Sequence, residues 1–146
     1  MDIKRISRIG SPDALHLPLF NHSASAGSPI PADDYIRDVV NLNDLLVKEA
    51  SSSYLVEVKG DSMIYAGIEE GDMLIVDCSI SAVNNDIVIA SLNGELTVKR
   101  YTVEHGNTYL VAENYKYNRI QVQPTDHLEI IGVVLRSIRN HCPRVR

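Results

Sequence analysis

A chain of 146 residues, 45% hydrophobic and 23% charged, is long enough to bury a core without disulfides or metal, which excludes a fibre and a disordered polymer. Its net charge of −5 and pI near 5.4 argue against direct sequence-specific DNA binding, which depends on neutralising many phosphates. The charge is uneven: residues 1–26 carry +1, 27–53 carry −3, 54–135 carry −7 and 136–146 carry +4. The arginines at 136, 139, 144 and 146 read as a solvated tail, with contact to nucleic acid or an acidic protein as the alternative.

Residues 1–34 read as a flexible arm, because Pro12, Pro18, Pro29 and Pro31 fall here among Gly10, Gly27 and scattered serines. Its centre, Ser23-Ala24-Ser25-Ala26-Gly27-Ser28, has side chains small enough for the backbone to lie in a narrow cleft, although such runs usually serve as linkers. His16 and Pro18 interrupt the apolar run from Leu15 to Phe20, so neither a signal peptide nor a membrane span is expected and the chain reads as cytoplasmic. Residues 34–48 carry apolar side chains partly at helical spacing after Asp33 and Asp34, with a break expected at Asn41 to Asp44. A short helical or irregular segment follows from this, packed on the domain or forming a dimer surface.

From residue 54 the pattern turns to strands: Tyr54–Lys59, Met73–Asp77, Ile87–Leu92, Glu95–Val103, Thr108–Ala112, Arg119–Val122 and Leu128–Ile138. Asn93-Gly94 between two of these runs is a strong hairpin signal. Strand-rich order with tight turns implies a mostly β fold, a small single domain (residues 35–146) built on a curled, largely antiparallel sheet. Cys78 and Cys142 lack any C-x-x-C spacing and are expected as thiols in a reducing compartment; no metal-ligand cluster, nucleotide loop or internal repeat occurs, so no cofactor is implied.

Two short runs carry chemistry. Ser62 lies in Val58-Lys59-Gly60-Asp61-Ser62-Met63, and Lys99 follows it by 37 residues in Thr97-Val98-Lys99-Arg100. A serine hydroxyl needs a base to attack an amide, and lysine serves as that base when a dry pocket keeps it neutral. Since an ordinary lysine titrates at about 10.4, this requires the ammonium to lose about 4 kcal/mol of stabilisation. On the strand from Glu95 to Tyr101, Leu96 and Val98 share one face while Thr97, Lys99 and Tyr101 share the other, so cover for Lys99 must come from a neighbouring segment or the arm. The plain alternative is that Gly60-Asp61-Ser62 is a polar turn and Lys99 faces water. His16, His22, His105, His127 and His141 are scattered without a spaced acidic partner, so no histidine triad stands out. Gly60-Asp61-Ser62-Met63 also has the look of the G-D-S-L hydrolases, but Asp126-His127 are adjacent where those proteins have D-x-x-H, and their alternating helices are missing.

The segments V-K-G-D-S-M-I-Y-A-G-I-E-E-G-D-M-L-I-V-D and D-I-V-I-A-S-L-N-G-E-L-T-V-K-R closely resemble the catalytic domain shared by LexA-type repressors and the UmuD family of SOS mutagenesis proteins. The likeness extends through G-V-V-L near the C-terminus and upstream through P-A-D-D-Y and L-N-D-L-L. The resemblance implies a self-cleaving serine peptidase in which Ser62 is the nucleophile, Lys99 the general base, and Ala26–Gly27 the bond cut. Main-chain N–H groups near Asp61, Ser62 and Met63 would hold the oxyanion, with Gly60 supplying backbone freedom. LexA-type repressors carry a helix-turn-helix domain before the cleavage site; with 26 residues preceding it here, the expectation is the UmuD, MucA and RumA branch. That branch implies a homodimer whose arm is removed under stimulation by a RecA nucleoprotein filament, after which it joins a UmuC-like Y-family DNA polymerase. Gly27 and Ser62 are 35 residues apart, a reach on the order of 100 Å extended, so cleavage within a chain and across a dimer both remain open. Two rivals stay beside this reading: a non-catalytic interaction subunit with an idle pair, and a peptidase acting on other proteins.

Overall fold

The computed structural model describes residues 1–9, 16–20, 36–142 and 144, with backbone only for 16–20 and 36–39. It divides into two compact units, one of residues 1–9 with 49–146 and one of residues 10–48.

In the smaller unit, β2 (His16–Phe20) pairs antiparallel with β3 (Ile36–Asn41), and α1 (Leu42–Leu46) follows. The break expected at Asn41 to Asp44 falls where β3 ends and α1 starts, and the stretch before it is a strand rather than helical; the Asn41 side chain accepts from the Asn43 N–H at 3.0 Å and caps one of the donors a helix N-terminus leaves open.

The larger unit is built from β1 (Asp2–Arg8), β4 (Ser53–Lys59), β5 (Met73–Asp77), β6 (Ile87–Leu92), β7 (Glu95–Glu104), β8 (Asn107–Val111), β9 (Ile120–Gln121) and β10 (Leu128–Ile138). The order is β1-β4-β5-β10-β6-β7-β8-β9, every neighbouring pair is antiparallel, and β1 also meets β7 through Asp2 and Thr97. That last contact closes the curled sheet into a barrel. Ten-residue β7 makes this possible by bonding β6 along its first half and β8 along its second. Tight turns join these strands: Asn93 and Gly94 adopt φ of 52° and 85°, as the paired residues of a two-residue hairpin turn must.

β1 lies within the stretch read as arm. Its sequence, Asp-Ile-Lys-Arg-Ile-Ser-Arg, spaces its apolar residues by three, which fits no strand period. A register shift between Ile3 and Arg5 against β4 absorbs the extra residue, so Ile3 pairs with Val58 and Ile6 with Val56.

Side chains alternate between two cores. Val56, Val58, Met63, Leu74, Val76, Ile89 and Val98 fill one cluster together with Met1, while Val88, Ala90, Leu110 and Val133 fill another. On β6 and β7, Ile89 faces Val98 and Val88 faces Lys99, so the lysine stands on the face of the second cluster. Gly132 on β10 is pressed against β5, where an added Cβ would meet Val76 at 2.7 Å and the Asp77 carbonyl at 3.0 Å. Arg139, just past β10, clamps the segment after the Ser62 turn by donating to buried Asp72, to Glu69 and to the Gly67 carbonyl. Burial pushes the Asp72 carboxyl up, but Arg139 and the Glu69 N–H hold it below the usual carboxylate range. Among the described residues no helix is long and apolar enough to cross a membrane.

Candidate active site

The chain leaves β4 at Gly60, whose φ of 94° is closed to most residues, and its N–H donates to the Glu70 carboxylate at 2.9 Å. Fully buried Met63 then anchors the next residues in the core, followed by a single 3-10 turn from Ile64 to Ala66. Ser62 is thus held between a permissive glycine and an apolar plug, and is 2% exposed.

Lys99 projects from the middle of β7 and is 8% exposed. Its Nζ lies 3.0 Å from Ser62 Oγ, 3.0 Å from Thr97 Oγ1 and 3.2 Å from the Val98 carbonyl. A neutral amine has two N–H donors and one lone pair. Here Nζ donates to all three oxygens; on losing a proton it keeps two donors for Thr97 and Val98 and turns its lone pair to the Ser62 hydroxyl. Among the described residues no carboxylate forms an ion pair with Lys99. Burial accordingly pushes its pKa down, opposed by the hydrogen bond to the terminal amine and the more distant charge of Asp2. The pair has the geometry and the protonation bias of a serine nucleophile and its base.

The cover that Lys99 required is Met1. Its α-amino group donates to Ser62 Oγ, and its carbonyl accepts from the Val98 N–H at 3.0 Å and from Thr97 Oγ1 at 3.2 Å. Burial, with Lys99 as the next cause, lowers the α-amine pKa to about 5, so it sits neutral against the serine. A carbonyl carbon must come within about 3 to 3.5 Å of Oγ to be attacked. With Met1 docked, its α-amine occupies a place in contact with Oγ.

Sequence reasoning paired Ser62 with Lys99, and they meet. Ala26 and Gly27 lie outside the described residues. No histidine hydrogen-bonds Ser62 among the described residues; Asp126 and His127 instead brace the β6–β7 hairpin by bonding to Asn93. Met1 and Thr97 were missed. Thr97, two residues before Lys99 on the same strand face, was the one with a signal in the sequence.

Residues 18–135 match the family described as Peptidase S24-like. The chain belongs to that family. Peptidase S24-like proteins are serine peptidases with self-cleaving members of the LexA type. A LexA repressor of Streptomyces clavuligerus is 40% identical over 130 residues, covering 89% of this chain and 52% of that protein. A LexA repressor of Bordetella avium is 38% identical over 133 residues, covering 91% of this chain and 62% of its own length. The chain therefore spans about half the length of several LexA repressors it matches. Protein MucA of Salmonella typhimurium is 34% identical over 126 residues, covering 86% of each chain.

Proposed function

We propose that this S24-like chain cuts its own Ala26–Gly27 bond, with Ser62 as nucleophile and Lys99 as general base. The observation that carries this reading is the buried Lys99 Nζ, 3.0 Å from Ser62 Oγ and free of carboxylate ion pairs among the described residues. Lys99 takes the hydroxyl proton as Oγ bonds to the Ala26 carbonyl carbon. The same proton passes to the Gly27 nitrogen as the C–N bond breaks, and water then releases the acyl group with Lys99 again as base.

Met1 gives this reaction a closed resting state. The scissile bond reaches Oγ once the start of β1 withdraws, so the productive state is a minor one. A partner that binds the open state preferentially raises its population by up to the ratio of its two affinities, without adding any catalytic group. We assign that role to a RecA filament on single-stranded DNA, as the resemblance implies. The processed chain, a cytoplasmic homodimer, then serves as the accessory subunit of a UmuC-like Y-family polymerase copying damaged DNA. The match with MucA over most of both chains supports this branch. A nucleophile 2% exposed favours self-processing over turnover of other proteins.

The test is incubation of the purified chain with and without a RecA filament, followed by mass analysis and capture on a Y-family polymerase. Faster appearance of residues 1–26 and 27–146, with capture of the shortened form, is expected. An intact chain in every condition would defeat the reading.

A further inference from the structure

The loop between β8 and β9 is fastened to the Ser62 turn at several points. Asn114, 6% exposed, donates from Nδ2 to the Asp61 main-chain carbonyl at 2.8 Å, while its Oδ1 accepts from the Lys116 N–H at 3.1 Å. The Tyr117 hydroxyl donates to the Asp61 carboxylate, and the Tyr65 N–H donates to the Glu113 carbonyl at 2.9 Å. In a trans peptide the C=O and N–H of one unit point in opposite directions. The Asp61 carbonyl also accepts from the Ile64 N–H at the longer distance of 3.3 Å, and fixing it toward Asn114 turns the Ser62 N–H the other way. Ser62 and Met63 are 2% and 0% exposed, and among the described residues neither main-chain N–H has an acceptor. Buried N–H groups without partners are rare, and two in succession beside a nucleophile suit the negative oxygen of an acyl-transfer intermediate.

We propose that Asn114 is a positioning residue: by holding the Asp61–Ser62 peptide plane it aims the Ser62 N–H, alongside that of Met63, at the oxyanion. This rests on the self-cleavage reading above. Asn114 makes no hydrogen bond to Lys99, so its loss lowers the rate without moving the titration of the base.

The experiment compares wild type, Asn114→Ala, Asn114→Asp and Ser53→Ala by self-cleavage rate from pH 7 to 11, by thermal melting, and by labelling with diisopropyl fluorophosphate. Ser53 is an equally buried polar side chain at the opposite end of β4, bonded to the Glu49 carbonyl, and controls for lost stability alone. Both Asn114 variants should lose about 10- to 100-fold in the high-pH plateau with an unchanged midpoint. Ser53→Ala should cleave at the wild-type rate despite its lower melting temperature. Labelling forms an Oγ–P bond with loss of fluoride and draws on the same N–H donors, so it should slow in parallel. A folded Asn114→Ala chain with the wild-type plateau and labelling rate would overturn the proposal, as would a shifted midpoint accounting for the whole loss. If the wild type labels but never cleaves, the self-cleavage reading falls and labelling alone decides on Asn114. If it does neither, both fall.

Discussion

Replacing Lys99 by methionine separates what the site needs from what the fold needs. The variant keeps a long unbranched chain but removes the amine, so self-cleavage should fall by about 100- to 10,000-fold, the usual contribution of a general base. Stability should move the other way. Burial holds the Lys99 pKa in the folded state below its ordinary 10.5, so between the two values the unfolded chain binds the extra proton. Wild-type stability therefore rises with pH across that window, by about 1.4 kcal/mol per pH unit, and falls again as pH drops through it. The methionine variant lacks that slope and should be the more stable protein near neutral pH. Urea denaturation of both chains from pH 9 to 11 measures the difference directly. Tyr117 and Cys78, whose pKa values are raised, titrate in both proteins and cancel, and starting at pH 9 stays above the titration of the Met1 amine, which is itself coupled to Lys99. Parallel stability curves over the whole range would show that Lys99 keeps an ordinary pKa when folded and would refute its role as a neutral base.

Lys4→Glu replaces the 2.8 Å contact with Glu57 by a like-charge pair across β1 and β4, which should loosen β1 and speed self-cleavage; an equal or slower rate would mean that β1 does not gate the serine. Hydrogen exchange should show β1 amide protection, corrected for intrinsic rates, weakening as pH falls from 8 to 5, because the released α-amine takes up a proton that the docked one, with its pKa near 5, does not. Arg139→Ala leaves the Asp72 carboxylate buried without its cation and should cost about 3 kcal/mol at neutral pH in urea denaturation; since Asp72 is held below the carboxylate range, the loss should shrink as pH falls through that range. Gly132→Ala should lower the melting temperature, by a free energy of about 1 to 3 kcal/mol, because its Cβ would press on the Val76 side chain and the Asp77 backbone.

Much of the larger unit could be read from its residues. Met73–Asp77, Ile87–Leu92 and Leu128–Ile138 were bounded correctly, because β-branched runs stop at polar turn residues and Asn93-Gly94 demands a two-residue hairpin. β1 was missed because its bulge breaks the two-residue period that a strand is recognised by. Asn41 was read as a break but not as a cap, because an asparagine that ends a strand and one that caps a helix look alike in sequence. Serine and lysine were paired through the motifs around them, whereas the agents of lysine burial come from far along the chain: Met1 lies 61 residues from Ser62. Asn114 reads as an ordinary turn residue in Glu-Asn-Tyr-Lys, and its bond to Asp61 spans 53 residues that no local pattern connects.

The most direct test is the intact mass of wild-type, Ser62→Ala and Lys99→Ala chains after incubation at pH 7 and pH 10. Loss of residues 1–26 from the wild type alone, faster at pH 10 where a larger share of Lys99 is neutral than at pH 7, is the predicted result. Equal loss from all three chains, or a wild type that stays whole at both pH values and with a RecA filament added, would contradict the account.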